Sequence, residues 1–182
     1  MPVDRRVMLQ DCGVPSYVFS TTLVAKGRKS LHQMIVNEEY MDEFGAVTDM
    51  YLQPKTSKDC AYTRMLANLM GKELALVGEK VYVVSLGKLS DILANEDGGD
   101  YWLKKIDSPR YVILTGFYDG GAFPLDKRDG LRVREWIIDR MDNTNLGIIL
   151  QGGGSLLGSS EWWGAPFTTE LLSRVTVMEF AE

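Results

Sequence analysis

Residues 52–59 read LQPKTSKD. Thr56, Ser57 and Lys58 put two hydroxyls and a cation into one short stretch, a group set suited to holding a phosphate. A phosphate-cradling turn has the form G-x-x-x-x-G-K-[ST]. On that template Lys58 takes the lysine position, but Leu52 and Ser57 stand where glycines belong and Asp59 stands where a hydroxyl belongs. The glycines let the backbone take a positive φ and approach the phosphates closely. A non-glycine residue held left-handed costs roughly 1–2 kcal/mol. Asp59 is a candidate magnesium ligand, yet it also sets a like charge beside a triphosphate, which Lys55 would partly offset. On these residues alone, a surface connection carrying a lysine is the commoner explanation.

Other chemistry finds less support. His32 is the only histidine, and Ser20 and Ser30 are the serines nearest to it. No G-x-S-x-G elbow accompanies them, and Gly152–Ser155 (GGGS) reads as a glycine-rich turn. Cys12 and Cys60 are too few for a disulfide framework or a His/Cys zinc site, and no C-x-x-C occurs. Trp162 and Trp163 are adjacent, so a regular element would not turn both into one core. Either both tuck beneath a loop or one is exposed at an interface or against a base. Lys127, Arg128, Arg132, Arg134 and Arg140 lie on one stretch, interleaved with Asp126, Asp129 and Asp139, and read first as a solvated, ion-paired helix face.

The elements that must position these residues are strands alternating with helices. SLHQMIVNEEYMDEFG (30–45) has helical spacing, and AVTDMYLQ (46–53) leans to strand before Pro54. SKDCAYTRMLANLMGKELALVG (57–78) predicts an amphipathic helix with Ala61, Met65, Leu66, Leu69 and Met70 on one stripe. KVYVVSL (80–86), RYVILTGF (110–117) and LGIILQ (146–151) are near-continuous apolar runs, as buried parallel strands require. GKLSDILAN (87–95) predicts a short helix and EDGGD (96–100) a turn. KRDGLRVREWIIDRMDN (127–143) predicts a helix with Leu131, Val133, Trp136, Ile137, Ile138 and Met141 largely inward. SEWWGAPFTTELLSR (160–174) predicts an irregular turn entering a helix, and RVTVMEF (174–180) a last strand in which Val175 and Val177 alternate with polar neighbours. Alternation of this kind gives an open parallel sheet with helices on both faces.

The chain has 182 residues, 45% hydrophobic and 25% charged, enough for one domain with a sizeable core. A net charge of −5 argues against a generally basic nucleic-acid coat. No signal-peptide pattern or membrane-length apolar run is visible, so a cytoplasmic protein with reduced thiols is expected.

Several of these segments carry a resemblance when taken together. VPSYVFSTTL (14–23), NEEYMDEF (37–44), YLQPKTSKDCAYTRMLANLM (51–70), VYVVSLGKLSDIL (81–93), RYVILTGFYD (110–119), LGIILQG (146–152) and LLSRVTVMEF (171–180) stand in order. From about Val14 to Phe180 the chain resembles the core of the AAA+ helicase-loader ATPases, the bacterial replicative-helicase loaders and the transposition-helper ATPases of insertion sequences. The resemblance implies a P-loop NTPase fold of the AAA+/RecA-like kind over 14–182, a tail over 1–13 and no C-terminal lid. It implies ATP or ADP with magnesium against Gln53, Thr56, Ser57, Lys58, Asp59 and Gln151, with Asp59 as the metal-facing group. It places Thr115 and Gly116 where the family carries an acidic pair for magnesium and water activation. Asp119 follows shortly after, and Arg174 falls where a trans-acting arginine finger would sit. Lys127, Arg128 and Arg132 become candidates for single-stranded DNA.

With both catalytic motifs altered, the expectation is a degenerate accessory protein of replication or recombination. It would bind a helicase, an active AAA+ ATPase or copies of itself, without hydrolysing ATP. Its compact, divergent form would suit a phage or other mobile element. The alternatives are an active helicase loader using Lys58, Asp59 and Asp119, and an interaction module that binds no nucleotide.

Overall fold

The computed structural model describes residues 49–56, 59–76, 80–95 and 99–180. The tail over 1–13, the helix expected over 30–45, the pair Ser57 and Lys58, and most of the turn expected at 96–100 lie outside the described residues.

Among the described residues, five strands form one sheet: β1 (Met50–Pro54), β2 (Val81–Ser85), β3 (Tyr111–Tyr118), β4 (Gly147–Gly152) and β5 (Thr176–Phe180). Their order is β2-β3-β4-β1-β5 and each adjacent pair is parallel. The helices are α1 (Cys60–Leu76), α2 (Leu86–Ala94), α3 (Gly99–Asp107), α4 (Lys127–Asp142), α5 (Ser160–Trp163) and α6 (Ala165–Arg174). One core layer sets Tyr62, Leu66, Met70 and Leu74 of α1 against Met50, Leu52, Ile113 and Ile149. The other sets the remaining helices against Tyr51, Val112, Leu114, Ile148 and Leu150. Successive strand residues point to opposite faces, so a strand covered on both sides must be apolar throughout. β4 is buried along its whole length for this reason.

Local signals set the helix starts. Ser85 caps α2 by accepting from Lys88 N, and Asp126 caps α4 by accepting from Asp129 N. Pro166 lies in the first turn of α6, where its missing N–H is not needed.

The structure corrects four expectations. Gly99 and Asp100, the described end of the expected turn, instead begin a helix that runs to Asp107, with Ile106 buried and Trp102 and Leu103 packed against the core. In α1 the buried stripe runs through Tyr62 and Leu66, whereas Ala61 and Met65 are exposed. In α4, Val133, Ile137 and Met141 face inward, but Leu131 is exposed. In β5 the inward residues are Met178 and Phe180, and Val177 faces out.

Arg140 departs from the solvated face expected of its helix. It is buried, and its guanidinium donates to Gly147 O, Ile106 O and Pro109 O at 3.0, 3.0 and 2.7 Å. Burial lowers its pKa to about 10, against the pull of Asp107 and Asp49, so it stays charged at neutral pH. Asp49 accepts from Ile148 N at 3.0 Å. Burial raises its pKa to about 6, against that hydrogen bond and the charges of Arg140 and Arg174. Together these groups tie the amino ends of β1 and β4 to the ends of α3 and α4.

Candidate functional site

Ligands of open parallel sheets bind outside the carboxyl ends of the strands. At that edge β1 runs through Pro54, and Lys55 N donates to Phe180 O at 2.8 Å, carrying the pairing with β5 one residue further. The chain then turns into α1. Asp59 N donates to Thr56 O at 3.0 Å. In return, Thr56 N and Thr56 Oγ1 both donate to Asp59 Oδ2, at 3.2 and 2.9 Å. Asp59 is buried, while Thr56 is exposed.

Gln53 is buried and its amide is engaged at both ends. Nε2 donates to Glu179 Oε1 at 2.8 Å, and Oε1 accepts from Leu156 N at 3.1 Å. The residue joins β1 to β5 and to the loop after β4.

Two strands over, β3 is irregular. Leu114 pairs with Leu150 and Tyr118 with Gly152, so β3 carries extra residues across that interval. A bulge of this kind bends the strand and re-aims its side chains. Gly116 takes it up with a φ of 71°, where a side chain would be strained. Its N–H donates to Gln151 Oε1 at 2.9 Å. Gln151 is fully buried, and its Nε2 has no partner among the described residues.

Aromatic packing holds the bulge in place. Trp163 stacks on Phe117 with centroids 4.8 Å apart and donates to Phe117 O at 2.8 Å. Trp162 meets Tyr118 edge-on and donates to Gly121 O at 3.0 Å. Both tryptophans are therefore buried, each with its indole N–H satisfied. The carboxyl end of β4 is equally tight. Gly153 N donates to Tyr118 O, Cys60 Sγ donates to Gly153 O, and Tyr51 Oη donates to Gly154 O. A Cβ on Gly152 would fall on the Tyr51 hydroxyl, so this close approach requires glycine.

A cleft of about 300 Å³ opens beside the bulge, lined by Arg64, Ser85, Thr115, Gly116, Asp119 and Trp162 among others. Across it the Arg64 guanidinium donates to Asp119 Oδ2 at 2.8 Å, and both side chains are about half exposed. Sequence reasoning passes over Arg64, Ser85 and Trp162 as cleft residues. Arg64 has no motif to mark it, because the only sign of a role is its partner in space.

The expected site residues thus fall into three places. Thr56, Asp59, Asp119 and Gln151 gather at the carboxyl edge with Thr115 and Gly116. Lys127 and Arg128 are exposed on the first turn of α4, and Arg132, one turn on, reaches Asp129 at 3.3 Å. Arg174 ends α6 ahead of the amino end of β5 and is paired in its own chain with Asp142 at 2.6 Å and Glu170 at 2.7 Å.

The described residues do not fit a magnesium triphosphate. Both Thr56 donors are already committed to a carboxylate, both ends of the Gln53 amide are occupied, and Thr115 and Gly116 bring no carboxylate to the β3 edge. Asp59 turns back on Thr56 and Asp119 is held by Arg64. Among the described residues, no group of three or more His, Cys, Asp or Glu is arranged to hold a metal ion. None of their helices is long and apolar enough to cross a membrane.

No family model matches the chain, and no curated protein does. Solved structures do match. The DnaC helicase loader aligns with a TM-score of 0.58 at 15% identity, over 86% of this chain and 89% of its own. AMPPCP-bound DnaA from Aquifex aeolicus aligns with a TM-score of 0.56 at 14% identity, over 83% of this chain and 49% of its own. The replication initiator DnaA bound to AMPPCP and single-stranded DNA aligns with a TM-score of 0.58 at 12% identity, over 84% of this chain and 44% of its own. The chain therefore spans about half the length of the DnaA structures and most of the loader. At such identities the likeness is one of fold, an α/β fold with a parallel sheet shared with these DnaA and helicase-loader structures.

Proposed function

We propose that this chain is an AAA+-like accessory protein of DNA replication or recombination that acts by binding and does not hydrolyse ATP. Its partner in this reading is a replicative helicase, an active AAA+ ATPase or a second copy of the chain. One observation carries the reading. Hydrolysis needs carboxylates at the end of β3 to place magnesium and orient water. That position holds Thr115 and Gly116, and the nearest acid that follows, Asp119, is ion-paired to Arg64 at 2.8 Å. Neither threonine nor glycine serves as a general base. The names of the similar structures, a helicase loader and two DnaA complexes, support the choice of replication as the setting.

The test is association with a replicative helicase, followed by sedimentation velocity with and without Mg–ATP. The reading expects a complex of the same stability in both conditions. A complex that forms only with ATP and dissolves as the nucleotide is hydrolysed would overturn it.

Single-stranded DNA is a second partner in this proposal, through Lys127, Arg128 and Arg132 at the start of α4. Removing one cation that neutralises a phosphate should reduce the slope of log K against log salt by about 0.7. Binding by Arg128→Ala and Arg132→Ala with the wild-type slope would remove these residues from the proposal.

A further inference from the structure

The cleft at the end of β3 holds about 300 Å³, the lower end of the range of small-molecule pockets. Its lining brings one ionised side chain of each sign, Arg64 and Asp119. The two meet through a single nitrogen, Arg64 Nη2, at 2.8 Å from Asp119 Oδ2. Arg64 Nη1 and Nε take no partner among the described residues. A Cβ on Gly116 would come within 3.4 Å of Asp119 Oδ2 and 3.6 Å of Arg64 Nη2, so the pair rests directly on the bare backbone of the bulge. Exposed pairs of this kind contribute little to stability, so opening this one costs little.

The other lining groups give the cleft a direction. Ser85, Leu86 and Gly87 bring the start of α2 to one wall. The leading N–H groups of a helix lack carbonyl partners within it and favour negative charge. Ser85 Oγ accepts from Lys88 N at 3.2 Å, which leaves its O–H to donate. Thr115 Oγ1 donates to Val84 O, which leaves its lone pairs to accept. Leu86, Pro124 and Trp162 supply carbon surface, since the Trp162 N–H is taken by Gly121 O.

These groups discriminate between ligand charges. A lone anion on Arg64 would face Asp119 as a like charge, and a lone cation on Asp119 would face Arg64 in the same way. A ligand that carries both charges a few ångströms apart gives each group an opposite partner. We propose that this cleft binds a free α-amino acid with an apolar side chain. Its carboxylate meets Arg64 and the start of α2, and its ammonium meets Asp119 and Thr115 Oγ1. Its side chain lies against Leu86, Pro124 and Trp162. Arg64 and Asp119 thereby exchange one contact with each other for two with the ligand.

The experiment is a titration of the full, isotopically labelled chain with L-leucine at fixed ionic strength, followed by NMR of backbone amides and of arginine Nε–H groups. Acetate and methylammonium, which carry one charge each, are the control probes. L-Leucine should shift the Gly87, Gly116 and Asp119 amides and the Arg64 Nε–H saturably. It should bind about tenfold more tightly than acetate or methylammonium. Arg64→Gln and Asp119→Asn should each weaken leucine binding about tenfold or more. Melting curves first establish that each variant folds. If Asp119→Asn does not, Arg64→Gln decides, because Arg64 lies on the exposed face of α1. The absence of saturable shifts, or shifts scattered away from the cleft, overturns the proposal. Acetate binding as tightly as leucine would reduce the cleft to an anion site. Tighter leucine binding by Asp119→Asn would make that carboxylate a competitor and not a partner. Either result also overturns it.

Discussion

Two arginines show how differently the two edges of the sheet are built. At the amino edge Arg140 is buried and donates to three main-chain carbonyls. At the carboxyl edge Arg64 is half exposed and meets one carboxylate, Asp119, which is itself half exposed. The first arrangement fixes strand and helix ends and leaves its guanidinium inaccessible to a ligand. The second contributes little to stability and lies open across a cleft. The same contrast holds for the acids and amides. Asp49 serves the start of β4, while Asp59, Asp119 and Gln151 cluster where a ligand of this fold would sit. One edge is committed to holding the sheet, and the other sets polar groups around an open cleft.

Substitutions can break this contrast, and the largest effect belongs to the amino edge. Arg140→Met should destabilise the chain by about 3–5 kcal/mol, because three buried carbonyls lose their donor. Urea unfolding followed by circular dichroism measures this. A loss below about 1 kcal/mol would mean that the amino edge is not the anchored one. Next in size is Gly152→Ala. Its methyl group would collide with the Tyr51 hydroxyl, and overpacking of this kind costs about 1–3 kcal/mol, occasionally more. The same unfolding assay reads it, and full wild-type stability would show that the end of β4 has room to spare.

Asp49 gives a pH signature. Its folded pKa is about 6 against an ordinary 3.8, so the folded chain holds its proton longer than the unfolded chain does. The stability this contributes is complete below about pH 4 and is lost as pH rises through about 6. Asp49→Asn keeps an acceptor for Ile148 N and never takes the charge. It should therefore be more stable than wild type at pH 7, by about 2 kcal/mol after allowance for solvent screening, and near wild type at pH 4. Melting curves across that range test the sign, and a variant less stable at pH 7 would reverse it. The smallest effect is expected at the carboxyl edge. Arg64→Ala should change stability by no more than about 0.5 kcal/mol, since exposed ion pairs contribute little. A larger loss would make Arg64 a structural group like Arg140.

Much of the sheet can be read from the chain alone, because YVILT and GIIL are apolar on both faces and only a doubly covered strand needs that. The helix over Gly99–Asp107 is hidden by its glycine and aspartate start and its lysines. Trp102, Leu103 and Ile106 carry the helical spacing in a stretch too short to stand out. The bulge has a sign, a glycine inside an otherwise apolar strand, but nothing in the sequence says that Gln151 will fill it. The Arg64–Asp119 pair is not readable, since its members lie on different elements and Arg64 belongs to no motif. The inward phase of β5 is obscured because methionine and phenylalanine at 178 and 180 compete with the valines for the buried face.

Whether the chain acts by binding without hydrolysing ATP, as proposed, is tested most directly by phosphate release from Mg–ATP by the full wild-type chain. We expect release equal to a protein-free blank, with and without single-stranded DNA. Release above the blank that disappears in Asp119→Asn would contradict it.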